Sequence, residues 1–155
     1  MGNDSETAKQ NLASYFACDV DFARLADALP WRNDPVINTA IQHFSGLRIL
    51  RQPIAETLFC FLCSSTKQIS QIKAICEAVA RDMGEALADG SHALPTWATI
   101  AEVGETRLRA VKLGYRARYI YQTARFLAER PGWLENTETA PTEEARSRLL
   151  ELPGV

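Results

Sequence analysis

The sequence has no apolar run approaching the roughly 18–20 residues that a bilayer-spanning helix needs. Its first residues lack the basic-then-apolar order of a secretory leader, and Glu6 stands where a myristoylation motif wants Ser or Thr. A soluble intracellular protein without membrane attachment is expected. Catalytic signatures are missing as well. There is no Gly-rich phosphate loop, no Ser/His/Asp or Cys/His set in recognisable context, and no HxE with a partner CxxC. The two histidines, His43 and His92, stand alone, and Cys60 and Cys63 form a CxxC without a second ligand pair from Cys18 or Cys76. Structural metal sites usually take two such pairs. No metal and no cofactor is expected, and the cysteines read as reduced, buried small hydrophobes.

What is present is an ordinary globular balance over 155 residues, 46% hydrophobic and 23% charged, enough for one domain with a real core. The pattern reads as helix almost throughout. Leu12 to Phe16 is a short apolar stretch; Asp21 caps a helix over 22–29 that Pro30 stops. Pro35 suits the first turn of a helix to about Phe44, with Gly46 after it. Pro53 opens the next. Nearly every position from Ile54 to Cys63 is apolar or small, which predicts burial on all sides and makes this the most buried helix. Ser65-Thr66-Lys67-Gln68 fits a capping box, and Lys67 then stands in a first turn where a cation opposes the helix dipole.

The following helix is the clearest amphipath: Ile69, Ile72, Ile75, Cys76, Val79 and Met83 recur at spacings of three and four, and Gly84 stops it. Asp89 to Pro95 reads as loop. Thr99 caps a short turn through Val103, Glu105 to Val111 is another short helix, and Gly114 precedes a longer one from about Tyr115 to Ala128. A last helix over 142–150 has Thr142 as its cap and Glu143-Glu144 in its first turn. No strand pair, repeat or low-complexity tract is visible.

Charge is segregated although the net charge is only −2. Between Arg107 and Arg125 stand six bases (Arg107, Arg109, Lys112, Arg116, Arg118, Arg125) and no acid, interleaved with Tyr115, Tyr119 and Tyr121. Phosphate contact plus base stacking needs such a patch. A solvated helix face with its aromatics turned inward would carry the same residues. Read from composition and spacing alone, the chain is a helical domain with a basic patch.

Three stretches resemble the helix-hairpin-helix DNA glycosylases, and among them the 8-oxoguanine DNA glycosylase / AP lyase branch. They are Phe44-Ser45-Gly46-Leu47-Arg48-Ile49-Leu50-Arg51-Gln52-Pro53 with its continuation Leu58 to Ser65, then Leu113-Gly114-Tyr115-Arg116-Ala117-Arg118-Tyr119, then Leu152-Pro153-Gly154-Val155. With Tyr15-Phe16, the similarity covers nearly the whole chain. The resemblance implies an all-α bundle of that type, with residues 1–155 read as one helical domain. It would be the central part of such an enzyme, ending before the second helix of the hairpin.

Such enzymes bend duplex DNA, turn the damaged nucleotide out of the stack and fill the gap with side chains. The resemblance makes Tyr115 the wedge beside the orphaned cytosine and Arg116 its hydrogen-bond donor, with Arg118, Lys112 and Arg109 on the DNA face. Thr66, Lys67, Gln68 and Gln71 stand where the branch usually carries asparagines and an arginine, a departure that bears on cytosine reading. Pro153 and Gly154 open the hairpin, whose backbone N–H groups meet a phosphate. The lysine that forms the Schiff base and the catalytic aspartate are expected beyond Val155, so no catalytic residue is expected within the chain. On its own it is predicted to be an inactive monomer that binds duplex DNA with a damaged base. The N-terminal β domain of many members is expected to lie outside it too. An alkylpurine-type relative and a non-catalytic helical DNA-binding module are the alternatives.

Overall fold

In the computed structural model, residues 2–155 are described, with side chains from Ser5 onward. The described residues form α-helices and turns without a strand ladder, the one sheet-like pairing being an isolated antiparallel bridge, Ala86–His92. Contacts divide the chain into two compact units, residues 1–52 and 53–155. No helix among the described residues is long and apolar enough to cross a membrane.

The first unit holds α1 (Gly2–Tyr15), α2 (Phe22–Ala28) and α3 (Pro35–His43). The apolar stretch seen at Leu12 is thus the end of a longer helix. Asp21 caps α2 by accepting from Arg24 N–H at 3.0 Å, as its position suggests. Asp34 does the same for α3 through Val36 and Ile37, with Pro35 at the first position. The segment 44–52 then runs back along α1. Arg51 N–H donates to Tyr15 O at 2.9 Å, Arg48 donates to Phe16 O at 3.2 Å, and the Arg51 guanidinium forks onto Asp19 at 2.8 and 3.0 Å. That fork holds the Asp19 carboxyl below its ordinary range.

The second unit holds α4 (Ile54–Ser64), α5 (Ile69–Met83), α6 (Trp97–Leu108), a π-helical turn at Arg109–Leu113, α7 (Arg116–Ala128), α8 (Trp133–Glu138) and α9 (Thr142–Leu149). Its core draws on every one of these elements, with Ile100, Leu108, Leu113, Ile120 and Val79 fully enclosed. The most buried helix is α7, and the sequence expectation for α4 is corrected. On α4 only Leu58, Phe59, Leu62 and Cys63 are buried, one stripe, while Phe61 is 54% exposed. α7 buries Arg116, Ala117, Ile120, Thr123, Ala124 and Leu127. Its small residues let α6 lie close along it, and close packing decides burial where apolar content does not.

Several boundaries also move. Ser65 is not the cap of α5 but the C-terminal cap residue of α4; Gln68 caps α5, with Gln71 Oε1 accepting from Gln68 N–H at 3.1 Å. Lys67 therefore precedes the helix, and its charge does not sit in the first turn. The cause is Thr66, at φ +56, a left-handed conformation that no helix continues through. Thr96, and not Thr99, caps α6, by accepting from Thr99 N–H at 3.1 Å. Gly104 at φ +80 kinks α6 where two short helices were expected. Pro141 takes the cap position of α9 in place of Thr142, and α8 had no sequence signal beyond Pro131-Gly132. Gly84 closes α5 without a left-handed turn. A Cβ there would meet Ala93 O at 1.9 Å, so the residue is glycine for lack of room.

The cysteines are free, as expected, but only Cys63 is buried; Cys18 is exposed and Cys60 and Cys76 are half-buried. The apolar stripe of α5 is corrected at its first member too, since Ile69 is 73% exposed.

Candidate nucleic-acid interface

Two turns fifty residues apart in sequence build the site. The first joins α4 to α5. Ser64 Oγ donates to Phe61 O at 2.6 Å, closing α4, and Lys67 N–H donates to Ser64 O at 3.0 Å across the left-handed Thr66. The second leads into α7. Lys112 at φ +65 and Gly114 at φ +60 reverse the chain twice in three residues, which puts Tyr115 at the cap of α7 and Arg116 at its first position. β-branched and long side chains rarely adopt such angles, and residues held there cluster at functional sites.

The two turns clasp. Tyr115 and Ser65 share a hydrogen bond at 3.1 Å between their hydroxyls, and Arg116 Nη2 donates to Thr66 Oγ1 at 2.9 Å. The Arg116 guanidinium lies 4.5 Å from the Tyr115 ring centroid, within cation–π range. Tyr115 nonetheless remains 51% exposed, and Tyr119, one helical turn on, meets its ring edge-on at 6.4 Å. The bond to Ser65, then that to Thr66, with the nearby Arg116 and Lys67 charges, lower the Tyr115 phenol below its usual range.

Arg116, which the resemblance makes the hydrogen-bond donor to an orphaned cytosine, is only 4% exposed. No carboxylate pairs with it among the described residues, and its Nε has no partner at all. A buried guanidinium with one hydroxyl and one ring for company is short of acceptors, which is costly unless something else supplies them.

The turn Leu152–Val155 closes the third side. Leu152 is buried, Thr123 Oγ1 donates to Pro153 O at 3.3 Å, and Gly154 has φ +90 with space for a Cβ only 3.0 Å from Tyr119 Cβ and 3.4 Å from Leu62. Any side chain at 154 would both strain the backbone and strike Tyr119. Parts of all three stretches singled out in the sequence thus meet around Tyr115 and Tyr119.

The basic patch is less free than the sequence suggests, because acids from elsewhere neutralise half of it. Arg107 forks onto Asp82 at 2.8 and 3.1 Å and holds that carboxyl low. Arg109 pairs with Glu105 at 2.6 Å and Arg125 with Glu129 at 3.4 Å. Lys112 and Arg118 are exposed, and no acid lies within ion-pair reach of either among the described residues. Gln68 and Gln71 cap one another at the start of α5. Ser65 and Tyr119 were not among the expected site residues. Tyr119 carried a readable signal, four residues after Tyr115 and so on the same helix face; Ser65 was disguised as a cap.

Similarity to known proteins agrees with this architecture. Residues 2–58 match the family 8-oxoguanine DNA glycosylase, N-terminal domain. The chain is 35% identical over 167 residues to the N-glycosylase/DNA lyase of Saccharomyces cerevisiae, covering 98% of this chain and 44% of that protein. It is 31% identical over 158 residues to N-glycosylase/DNA lyase OGG1 of Arabidopsis thaliana, covering 97% and 43%. The fold superposes on the Clostridium acetobutylicum 8-oxoguanine glycosylase/lyase in its apo form with a TM-score of 0.86 at 26% identity, covering 97% of this chain and 53% of that one. That protein in complex with duplex DNA bearing cytosine opposite 8-oxoguanine gives 0.84, also at 26% identity, covering 97% and 52%. The chain spans about half the length of these relatives. In sequence along nearly all its length, and in its helical fold, the chain is similar to the 8-oxoguanine DNA glycosylase/lyases.

Proposed function

We propose that these residues are the gap-filling part of a base-excision repair enzyme, a glycosylase/AP lyase that turns 8-oxoguanine out of duplex DNA and excises it. The observation that carries this reading is the clasp of Tyr115 and Arg116 by Ser65 and Thr66. It holds an exposed aromatic ring on a rigid turn, beside a buried cation that lacks acceptors. An enzyme that flips a base must put something in the stack, and a braced ring stacks at little entropic cost. Thr66, Lys67, Gln68 and Gln71 would line one side of the gap and Pro153 and Gly154 would offer backbone to a phosphate. The partner is duplex DNA carrying a damaged base, met by one copy of the chain.

Phosphate contact then falls mainly to Lys112 and Arg118, whose charges are free, and less to Arg109, which must first part from Glu105. Fluorescence anisotropy at low salt, with matched intact and abasic duplexes, tests both points. The parent chain is expected to prefer the abasic duplex. Lys112→Ala and Arg118→Ala are each expected to weaken both duplexes alike and to flatten the salt dependence by about one unit of slope. Arg107→Ala is expected to leave the slope unchanged, since its guanidinium is spent on Asp82. Equal binding of the two duplexes by the parent would overturn the proposal.

Catalysis itself needs a lysine past the hairpin turn, by resemblance, and none of Lys9, Lys67, Lys73 and Lys112 follows Leu152. The 155-residue chain alone is therefore expected to release no 8-oxoguanine and to leave no borohydride-trapped adduct on DNA. An adduct that vanishes in Lys112→Ala would show a nucleophile where none is proposed.

A further inference from the structure

Between α4 and α5 lies a group of thiols that the DNA reading does not use. Cys60 Sγ and Cys76 Sγ stand 3.8 Å apart, one on each of two helices packed against each other. Cys63, three residues after Cys60 on α4, is fully buried beside them. No group of three metal-binding side chains is found among the described residues, so the sulfurs are not arranged around a cation. They are arranged as a pair with a buried neighbour.

We propose that Cys60 and Cys76 are an oxidation site, a thiol couple that a peroxide converts into a disulfide joining α4 to α5. Both thiols are half-buried, open enough for a small oxidant, while Cys63 is shut off from it. The two partners differ in character. Hydrogen bonds from Cys63 first, and from Cys60 after it, favour the ionised form of Cys76 over the cost of its burial, whereas burial pushes the Cys60 thiol up. Cys76 is thus the nucleophile and Cys60 the resolving thiol.

The chemistry balances with peroxide as the sole oxidant. The Cys76 thiolate attacks one peroxide oxygen, the O–O bond breaks, and a sulfenic acid forms as the other oxygen leaves and takes a proton to become water. Cys60 then attacks the Cys76 sulfur; its proton and the sulfenic oxygen leave as a second water. Two thiols have lost two electrons to one peroxide. The sulfurs need close only from 3.8 Å to about 2.05 Å. The new bond brackets residues 61–75 and so staples the base of the turn that holds Tyr115. A dithiol reductant reverses it.

Mass spectrometry reads this directly. The full chain, carrying Cys18→Ser to remove the exposed thiol, is treated with a small excess of hydrogen peroxide, blocked with N-ethylmaleimide and digested with trypsin without reduction. Cleavage after Arg51, Lys67, Lys73 and Arg81 leaves Cys60 and Cys63 on the peptide 52–67 and Cys76 on the peptide 74–81. The expected result is a cross-linked pair of these peptides that dithiothreitol separates, that persists in Cys63→Ala and that is lost in Cys60→Ala. If no linked pair forms, or if the link survives Cys60→Ala, the assigned couple is wrong. The link is read by mass without DNA, so its absence and a failure of the DNA reading are separate results.

Discussion

Tyr115→Ala is expected to bind an abasic-site duplex no better than an intact one. Its ring is half exposed, and its contacts are a hydroxyl bond to Ser65, the edge of Tyr119 and the Arg116 guanidinium. None of these is a core contact, so removing the ring leaves the fold intact. What is lost is a stacking platform. Stacking of one base on an aromatic side chain corresponds to a preference of roughly 5- to 150-fold, which is the loss expected for the abasic duplex alone. Tyr115→Phe separates the ring from its brace. It keeps the stacking face and gives up the bond to Ser65, so most of the preference is expected to survive. Anisotropy titrations of the parent and both variants against the two duplexes decide the matter. A Tyr115→Ala chain with the parent's ratio would mean that this ring only packs.

The bases around Tyr115 show where reading the sequence reached its limit. The run from Arg107 to Arg125 looked uniformly free because no acid interrupts it. Yet Asp82, twenty-five residues before Arg107, folds back onto it, and Glu105 and Glu129 reach in from just outside the run. Local composition reports which charges are neighbours along the chain and is blind to pairing across helices. Helix starts were legible where a single residue type fixes them. Asp21, Pro35 and Pro53 act through their own side chains or ring, and the structure agrees at all three. They were misread where two candidates competed. Ser65 and Gln68 both fit a cap; the left-handed Thr66 between them decides, and no property of threonine advertises it.

Burial failed for a related reason. Apolar content made α4 look enclosed, but a helix is covered only as far as its neighbours extend. α7, with two alanines and a threonine on its inner face, admits a closer neighbour than the bulkier α4. Of the interface, Tyr115 and Arg116 were recognisable from a motif of seven residues. Thr66 was singled out by the same resemblance, but its bond to Arg116 and the part of Ser65 were not, because a contact spanning fifty residues leaves no mark in the spacing.

Arg116 is where stability and binding are expected to part. The side chain is buried with a charge, one hydroxyl acceptor on Nη2, a ring face and an orphaned Nε. Burying a guanidinium this poorly satisfied costs free energy in the unbound protein, so an apolar side chain of similar length fits the same space without that cost. Arg116→Met is therefore expected to be as stable as the parent, or more stable by about 1–4 kcal/mol, the range seen when buried ionic groups give way to apolar ones. The same variant is expected to lose about 10- to 150-fold in affinity for the abasic duplex. A hydrogen bond to a charged donor contributes roughly 1.5–3 kcal/mol, and an unpaired base edge can supply the acceptors that the protein withholds. Arg116→Lys keeps the charge and loses the fork, and is expected to recover little of the affinity. Thermal unfolding and anisotropy on the same preparations give the two signs. If Arg116→Met unfolds well below the parent and binds both duplexes more weakly in proportion, the guanidinium is a brace for the turn and not a group held ready for an unpaired base.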